Sequence, residues 1–153
     1  MKQVKTISLS SFTLTIENTQ RGDQISIGGG GKLIGTCTYE YQQSMFTMTA
    51  TADGGVAAAH NASKYAQVTI AFTQTSPDID TLINFIQWCS SNPDLAGYTG
   101  ITARDATGVF AFTANGCLPD RIPANTMGDT PQQRTFTFLC AELTPNEGVG
   151  GTY

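Results

Sequence analysis

The chain has 153 residues and a formal net charge of −4, with 40% hydrophobic and only 13% charged residues. This length and hydrophobic content predict one domain over residues 1–153 with a core of its own. The scattered lysines and arginines argue against tight nucleic-acid binding, which needs clustered cations. No apolar run reaches the ~20 residues that span a bilayer, and no signal peptide is recognisable. We therefore expect synthesis in the cytoplasm without membrane insertion.

The first part of the sequence predicts short antiparallel strands separated by turns. Alternating apolar and polar side chains predict strands at residues 11–17, 24–27, 33–41 and 45–51. Gly22-Asp23 and Asp53-Gly54-Gly55 are turn signals. Residues 56–63 have no clear period, so we predict a loop there, within a long inter-strand loop over about 40–63.

The central segment predicts the best strand and the one good helix. Residues 65–73 alternate clearly, and a helix over about 77–91 follows. Ser76 is the expected N-cap, and Pro77 the first helical residue. The apolar positions of the helix, which share one face, are Ile79, Leu82, Ile83, Ile86 and Cys89. We expect the helix to end at Asn92-Pro93.

The last part predicts further strands and completes the fold class. A hairpin is predicted over 101–105 and 109–114, a turn at Asn115-Gly116, a proline-bearing loop over 118–130 and a strand over 135–143. In that last strand Phe136, Phe138 and Cys140 should face inward. The sum is a mainly β protein with flexible termini. We predict an antiparallel β-sandwich or half-barrel with one helix over an edge or end.

The four cysteines have no metal-binding spacing. Cys37, Cys89, Cys117 and Cys140 contain no CxxC pair, and the chain has one histidine, so a zinc site is not expected. The simplest interpretation is four buried small hydrophobes in a reducing compartment. The alternative is disulfide formation after release into an oxidising medium, within or between subunits. The sequence leaves all three internal connectivities open.

No group of residues predicts catalysis or cofactor binding. His60 lies in an alanine- and glycine-rich segment, without an orienting partner in sequence. The glycine run 28–31 lacks the ending of a phosphate-binding loop. Arg21-Gly22-Asp23 is best interpreted as an ordinary turn. We therefore predict a protein that is not an enzyme and has no cofactor.

A family resemblance begins in the block from Ala52 to Asn84. The residues that carry it are Asp53-Gly54-Gly55, Asn61-Ala62-Ser63, the strand 67–72, Gln74-Thr75-Ser76-Pro77 and Leu82. Similar features are Phe12 to Ile16 before a glycine-rich stretch, Asp105 with Gly108, Arg134-Thr135-Phe136 and Val149-Gly150-Gly151. In this order, they make the chain resemble the small structural proteins of the tail tube in contractile-tailed bacteriophages. The four cysteines and the four-glycine run are not part of that pattern.

The resemblance implies a tail-tube-like β-sandwich that assembles into hexameric rings. The rings would stack into a tube inside a sheath, and DNA would leave through the channel. The implied partners are other copies of the chain, the tail sheath protein, the baseplate and tail terminator proteins, and, in the lumen, the tape measure protein and DNA without sequence-specific binding. The expected location is the virion tail, after assembly in the host cytoplasm.

Two sets of residues are candidates for assembly. Residues Asp53, Gly54, Gly55, His60 and Asn61, in the predicted loop, are candidates for contacts between rings. Residues Thr47, Thr49, Thr69 and Thr73 are candidates for polar strand faces, some of which would line the channel. A surface with few charges also favours close packing between identical copies.

Other functions remain open at this point. The chain could be another assembling virion component, such as a decoration protein or a non-contractile tail tube, or the tube of a contractile injection system. A ligand-binding β-module would need an aromatic platform, and Trp88 is the only tryptophan. An enzyme is the least favoured alternative.

Overall fold

The computed structural model describes residues 12–28, 36–73, 76–105, 111–130 and 132–146. The elements in chain order are β1 (Thr13–Asn18), β2 (Asp23–Gly28), β3 (Thr36–Tyr41), β4 (Phe46–Ala50), β5 (Val56–His60), β6 (Ala66–Thr73), α1 (Asp78–Ser91), α2 (Pro93–Ala96), β7 (Thr99–Arg104), β8 (Ala111–Pro119) and β9 (Gln133–Pro145). The predicted mainly β class is confirmed.

Seven strands form one antiparallel sheet that curves around the core. Their order is β2-β1-β7-β8-β9-β6-β3, and β4 and β5 form a separate two-stranded sheet. The edge strand β3 reaches the middle of the sheet, because the Tyr39 ring lies 5.2 Å from the Phe112 ring of β8. The Tyr41 hydroxyl likewise donates a hydrogen bond of 2.5 Å to the Leu143 carbonyl of β9. Since β2 and β3 do not pair with each other, this is the predicted half-open form rather than a closed barrel.

The core lies inside this curve and is closed by helix α1. Alternation buries one face of most strands of the main sheet, and the fully buried aromatic side chains include Phe72, Phe112, Phe136 and Phe138. The predicted inward direction of Phe136, Phe138 and Cys140 is confirmed. On α1, the predicted positions Ile79, Leu82, Ile86 and Cys89 are buried together with Phe85, whereas Ile83 is only half-buried.

Helix α1 begins one residue later than predicted. Pro77 is its N-cap, and Asp78 is its first residue. The Ser76 carbonyl accepts a hydrogen bond from the Ile79 amide at 3.3 Å, whereas the Ser76 hydroxyl makes no hydrogen bond. A tight backbone turn therefore opens the helix in place of the expected side-chain cap. A second short helix, α2, begins at Pro93, where the sequence suggested only an end.

Two local predictions are wrong. Residues 56–60 form strand β5 and not a loop, because they pair in register with β4; alanine has little strand preference of its own, and the pairing decides. Asn115-Gly116 lies inside the continuous strand β8 and is not a turn. The residues between the two predicted hairpin strands, 106–108, and the last three glycines of the run 28–31 lie outside the described residues.

Next to Gly116, β8 and β9 both switch the alternating set of residues that faces the core. Ala114 and Leu143 are opposite each other in the core, and so are Cys117 and Cys140, although the spacing in each strand is three residues. An even spacing would be required to stay on the same face of a regular strand. Gly116 has φ +64°, and a Cβ there would lie 3.0 Å from the Ala141 Cβ. This glycine therefore permits the change of face.

Asn18 ties the β1–β2 turn to helix α2 and the start of the neighbouring strand β7. Its side-chain amide is buried and donates hydrogen bonds to the Leu95 carbonyl and the Thr99 hydroxyl, both at 3.0 Å. Its side-chain oxygen, Oδ1, accepts hydrogen bonds from the Gln20 and Arg21 backbone amides. A buried polar side chain satisfied in this way fixes the turn in one position.

Candidate assembly surface

A two-stranded hairpin, β4–β5, stands apart from the seven-stranded sheet. Its register pairs Phe46 with His60 at the base and Ala50 with Val56 near the tip. Every residue of both strands is exposed. An isolated hairpin is only marginally stable in water, so this exposed hairpin is a candidate contact surface.

The hairpin has one strongly apolar face. The side chains on this face are those of Phe46, Met48, Ala50, Val56, Ala58 and His60. Met48 is 74% exposed and Val56 is 65% exposed. The opposite face carries Thr47 and Thr49 next to Ala57 and Ala59. Large apolar side chains grouped in this way on a surface mark a contact site, and we call the first set the apolar hairpin face.

The base of the hairpin encloses an apolar hollow. A space of about 540 Å³ lies between Tyr41, Met45, His60, Lys64 and Pro145, among other residues. The His60 ring packs against Phe46, with 5.0 Å between centroids. The side-chain nitrogen of Asn61, Nδ2, donates a hydrogen bond to the side-chain oxygen of Gln43 at 2.8 Å. The base is therefore ordered by its own contacts, and the hollow beside it is open to a side chain of another molecule.

The tip of the hairpin is a hydrogen-bonded turn. The Thr51 hydroxyl donates to the Asp53 carboxylate, and the Gly55 amide donates to the same oxygen at 3.3 Å. These hydrogen bonds, that from Thr51 first, hold the pKa of Asp53 below its usual value. Gly54 has φ +87°, which glycine adopts readily.

The candidate residues for ring contacts fall at two ends of this hairpin. Asp53, Gly54 and Gly55 form the tip, whereas His60 and Asn61 lie at the base. At about 3.4 Å per residue, Val56 and His60 are roughly 14 Å apart. The structure thus places the five residues on one projecting element but not in one cluster, and their role stays a prediction.

The candidate threonines lie on two different sheets. Thr47 and Thr49 are on the hairpin, whereas Thr69 and Thr73 lie on the outward face of β6. In the main sheet Thr69 stands between Thr38 of β3 and Thr137 of β9, directly opposite both. We call these three residues the first hydroxyl row. Sequence reasoning missed this row because it depends on the order of strands that are distant in the chain.

A second hydroxyl row crosses the other half of the sheet. It consists of Ser26, Thr15, Thr102, Thr113 and Thr144, each directly opposite the next. The sheet therefore presents small polar side chains outward on both halves. Only the half with the first hydroxyl row contains the predicted channel residues Thr69 and Thr73.

Among the residues that the structure describes, the main sheet ends in two strands that pair on one side only. These are β2 and β3, and neither contains lysine or proline. Such residues usually protect a sheet edge from pairing with another chain. Neither edge carries these protective residues, so both are candidate sites for pairing with another chain.

The four cysteines are all reduced in the structure, and two of them are neighbours. Cys117 and Cys140 are buried with their sulfur atoms 3.1 Å apart. Their hydrogen bond lowers the pKa of Cys140, and the same bond, together with burial, raises the pKa of Cys117. Cys89 is buried on α1, and burial raises its pKa. Cys37 is half-buried on β3, and desolvation raises its pKa to about 12.

Within the described part of the chain, no three metal-binding side chains come together. No helix among those residues is both long and apolar enough to cross a bilayer. His60 contacts Phe46 at the hairpin base, and the acidic tip residue Asp53 is at the opposite end of the same hairpin. The hairpin and the two outer strands of the described main sheet are therefore the candidate functional surfaces.

Solved structures with a similar fold come from contractile injection systems and the anti-feeding prophage. The tube-terminating cap of the anti-feeding prophage has TM-score 0.54 and 10% identity, covering 97% of this chain and 95% of that chain. The sheath–tube complex of an extracellular contractile injection system, PVC in its extended state, contains a chain with TM-score 0.53 and 11% identity, covering 93% and 92%. The anti-feeding prophage baseplate contains one with TM-score 0.58 and 8% identity, covering 94% and 97%.

Residues 4–148 match the family model of the bacteriophage PhiTE tail tube protein. Because this match spans nearly the whole chain, the chain belongs to that family of phage tail tube proteins. No curated protein sequence matches it. The resemblance to tail tube proteins expected from the sequence is confirmed.

Proposed function

We propose that this protein is the structural subunit of a phage tail tube, assembling as hexameric rings that stack around a channel for DNA ejection. The observation that carries the proposal is the apolar hairpin face, which is exposed in the single subunit. In a tube, a second copy would cover this face, and the open base hollow would receive a side chain of that copy. The protein would act without catalysis and without a cofactor.

Ring closure would use the free edges of the main sheet. If one edge of a subunit meets the other edge of the next subunit, the contact is heterologous, and it forms a ring when the rotation closes. Asp53, Gly54 and Gly55 at the tip, with His60 and Asn61 at the base, would then lie at contacts between stacked rings. The first hydroxyl row with Thr73, together with Thr47 and Thr49, would face the channel.

The proposed environment follows from the family. The tube would lie in the virion tail after assembly in the host cytoplasm, with sheath protein outside and baseplate and terminator proteins at its ends. The tape measure protein and DNA would occupy the lumen. Strands β3 and β6 contain no lysine or arginine, which suits DNA that passes without being held.

A second candidate is the tube of a contractile injection system. It is favoured by the shared fold with tube components of such systems. Both candidates require the same self-assembly. Packaged DNA in purified particles would distinguish a phage tail from an injection system.

Two charge substitutions on neighbouring hairpin residues test the assembly. Met48→Glu places a carboxylate on the apolar hairpin face, and Thr49→Glu places it on the opposite face of the same strand. Both side chains are exposed in the subunit, so both variants should fold. We expect negative-stain electron microscopy to show stacked-ring tubes for the wild type and Thr49→Glu, and only dispersed subunits for Met48→Glu. Tubes formed equally by Met48→Glu would contradict the proposed contact.

A further inference from the structure

Cys117 and Cys140 face each other across two neighbouring strands of the core. They are directly opposite in the β8–β9 pairing, both are fully buried, and their sulfur atoms are 3.1 Å apart. Opposite residues in an antiparallel pair have Cα atoms roughly 4.5 or 5.5 Å apart. Both distances lie within the range of about 4.4–6.8 Å that a disulfide spans. The backbone therefore already has the separation that a bond between these sulfurs requires.

The other two cysteines lack this arrangement. Cys37 on β3 is opposite Ile70, and Cys89 lies on helix α1 rather than in the sheet. Three connectivities would use all four cysteines. The only link in any of them that the structure supports is the one between Cys117 and Cys140. The question that the sequence left open is thereby reduced to one pair within one subunit.

We propose that Cys117 and Cys140 form an oxidation site, at which a small peroxide produces one disulfide within the subunit. In the first step, the sulfur of Cys140 attacks one oxygen of hydrogen peroxide. The O–O bond breaks, Cys140 becomes a sulfenic acid, and the leaving hydroxide takes the thiol proton to form water. In the second step, the sulfur of Cys117 attacks the sulfur of Cys140. The S–O bond breaks, and hydroxide leaves with the Cys117 proton as a second water.

The bond would join β8 to β9 beside their change of face. Gly116 and Ala141, where that change occurs, each adjoin one of the two cysteines. The bond would also close the segment 117–140, which contains the exposed loop 120–130. Because a crosslink restricts the unfolded chain, we expect the oxidised subunit to unfold at a higher urea concentration than the reduced one.

Trypsin separates the four cysteines completely, so peptide mapping identifies the link. Cleavage after lysine and arginine places Cys37 in peptide 33–64, Cys89 in 65–104, Cys117 in 105–121 and Cys140 in 135–153. The purified protein is treated with dilute hydrogen peroxide, its remaining thiols are alkylated in denaturant, and it is digested without reductant. We expect peptide 105–121 joined to 135–153, a link that reductant removes, and alkylated Cys37 and Cys89.

Two matched variants complete the test. Cys37→Ala/Cys89→Ala keeps the pair and should form the same linked peptide. Cys117→Ala should form none, and its Cys140 should react with a sulfenic-acid probe after peroxide treatment. If Cys117→Ala does not fold, the peptide maps of the wild type and of Cys37→Ala/Cys89→Ala still test the proposed link. The proposal is overturned if peptides 105–121 and 135–153 are recovered unlinked after peroxide treatment, or if either is joined to another cysteine or to a second subunit.

Discussion

Arg21 holds the β1–β2 turn against helix α1. Its guanidinium carbon lies 5.4 Å from the Phe85 ring centroid and 5.5 Å from that of Trp88. Its Nε also pairs with the Asp23 carboxylate at 3.1 Å. A partly desolvated cation–π contact contributes up to ~2 kcal/mol, whereas an ion pair with a half-exposed carboxylate contributes less than ~1 kcal/mol. The aromatic contact is therefore the larger of the two.

Substitution of Arg21 should lower the stability of the protein more than substitution of Asp23. We expect Arg21→Ala to lower the free energy of unfolding by about 1–2 kcal/mol, because both rings lose the cation and its alkyl chain. We expect Asp23→Ala to lower it by less than ~0.5 kcal/mol. Urea denaturation of both variants measures the difference. Equal losses would mean that the ion pair dominates.

Gly116 is the residue on which the change of face depends. With φ +64° and 3.0 Å from a built Cβ to that of Ala141, Gly116→Ala combines backbone strain with a steric clash. We expect a loss of about 1–3 kcal/mol in the free energy of unfolding. Gly97→Ala is the matched control, because Gly97 has φ −66° and open space around its Cβ position. It should lie within ~0.5 kcal/mol of the wild type, and a similar loss in both variants would refute this explanation.

At the scale of elements, helix α1 and the β4–β5 hairpin differ in how far local sequence determines them. The helix has a 3.6-residue apolar period, and it buries the positions that this period selects except Ile83, which is half-buried. Its first residue and the burial of Phe85 were not predicted. The hairpin's second strand, by contrast, is three alanines between Val56 and His60. It acquires its conformation from pairing with β4 and from the turn at Asp53-Gly54-Gly55. Pairing of this kind is not visible in the local period of the strand.

The tip of the hairpin should respond to acid through Asp53. Hydrogen bonds to the carboxylate lower the pKa of Asp53 below its ordinary value of 3.8, so the contribution of these bonds is complete above about pH 4. It is lost as the pH falls through the lowered pKa. We expect the NMR shift of the Gly55 amide, one of the donors, to titrate with a midpoint below 3.8.

Asp53→Asn provides the control for this titration, because its side chain cannot ionise. The acid step in the Gly55 amide shift should disappear in that variant. A wild-type midpoint at or above the ordinary value for aspartate would show that the tip does not hold the carboxylate in solution.

At the scale of the whole molecule, the outward side of the sheet carries one polar face on each half. One contains Thr38, Thr69 and Thr137, and the other contains Thr15, Thr102 and Thr113. The two faces lie on different halves of a curved sheet, so a tube would place them in different environments. Our proposal assigns the face with Thr69 to the channel.

Cysteine labelling in assembled tubes distinguishes the two faces. We expect Thr69→Cys, in a Cys37→Ala background, to react with a small maleimide but not with a maleimide on a large polymer that cannot enter the channel. Thr102→Cys should react in the same way with both reagents. Reaction of Thr69→Cys with the large reagent would place it outside the channel, and reaction with neither reagent would place it in a subunit contact. Unassembled subunits, in which both reagents should react, serve as the control.

The sequence by itself determined the mainly β class, most strand positions, the apolar face of α1 and the inward direction of Phe136, Phe138 and Cys140. It also carried the resemblance to tail tube proteins. These features follow from local period and turn chemistry, which act between residues close in the chain. Only the tertiary structure decided the strand order, the pairing of Cys117 with Cys140, the two hydroxyl rows and the apolar hairpin face. Each of these depends on which distant segments become neighbours, and a curved sheet sets those neighbours through pairing and core packing that no single segment encodes.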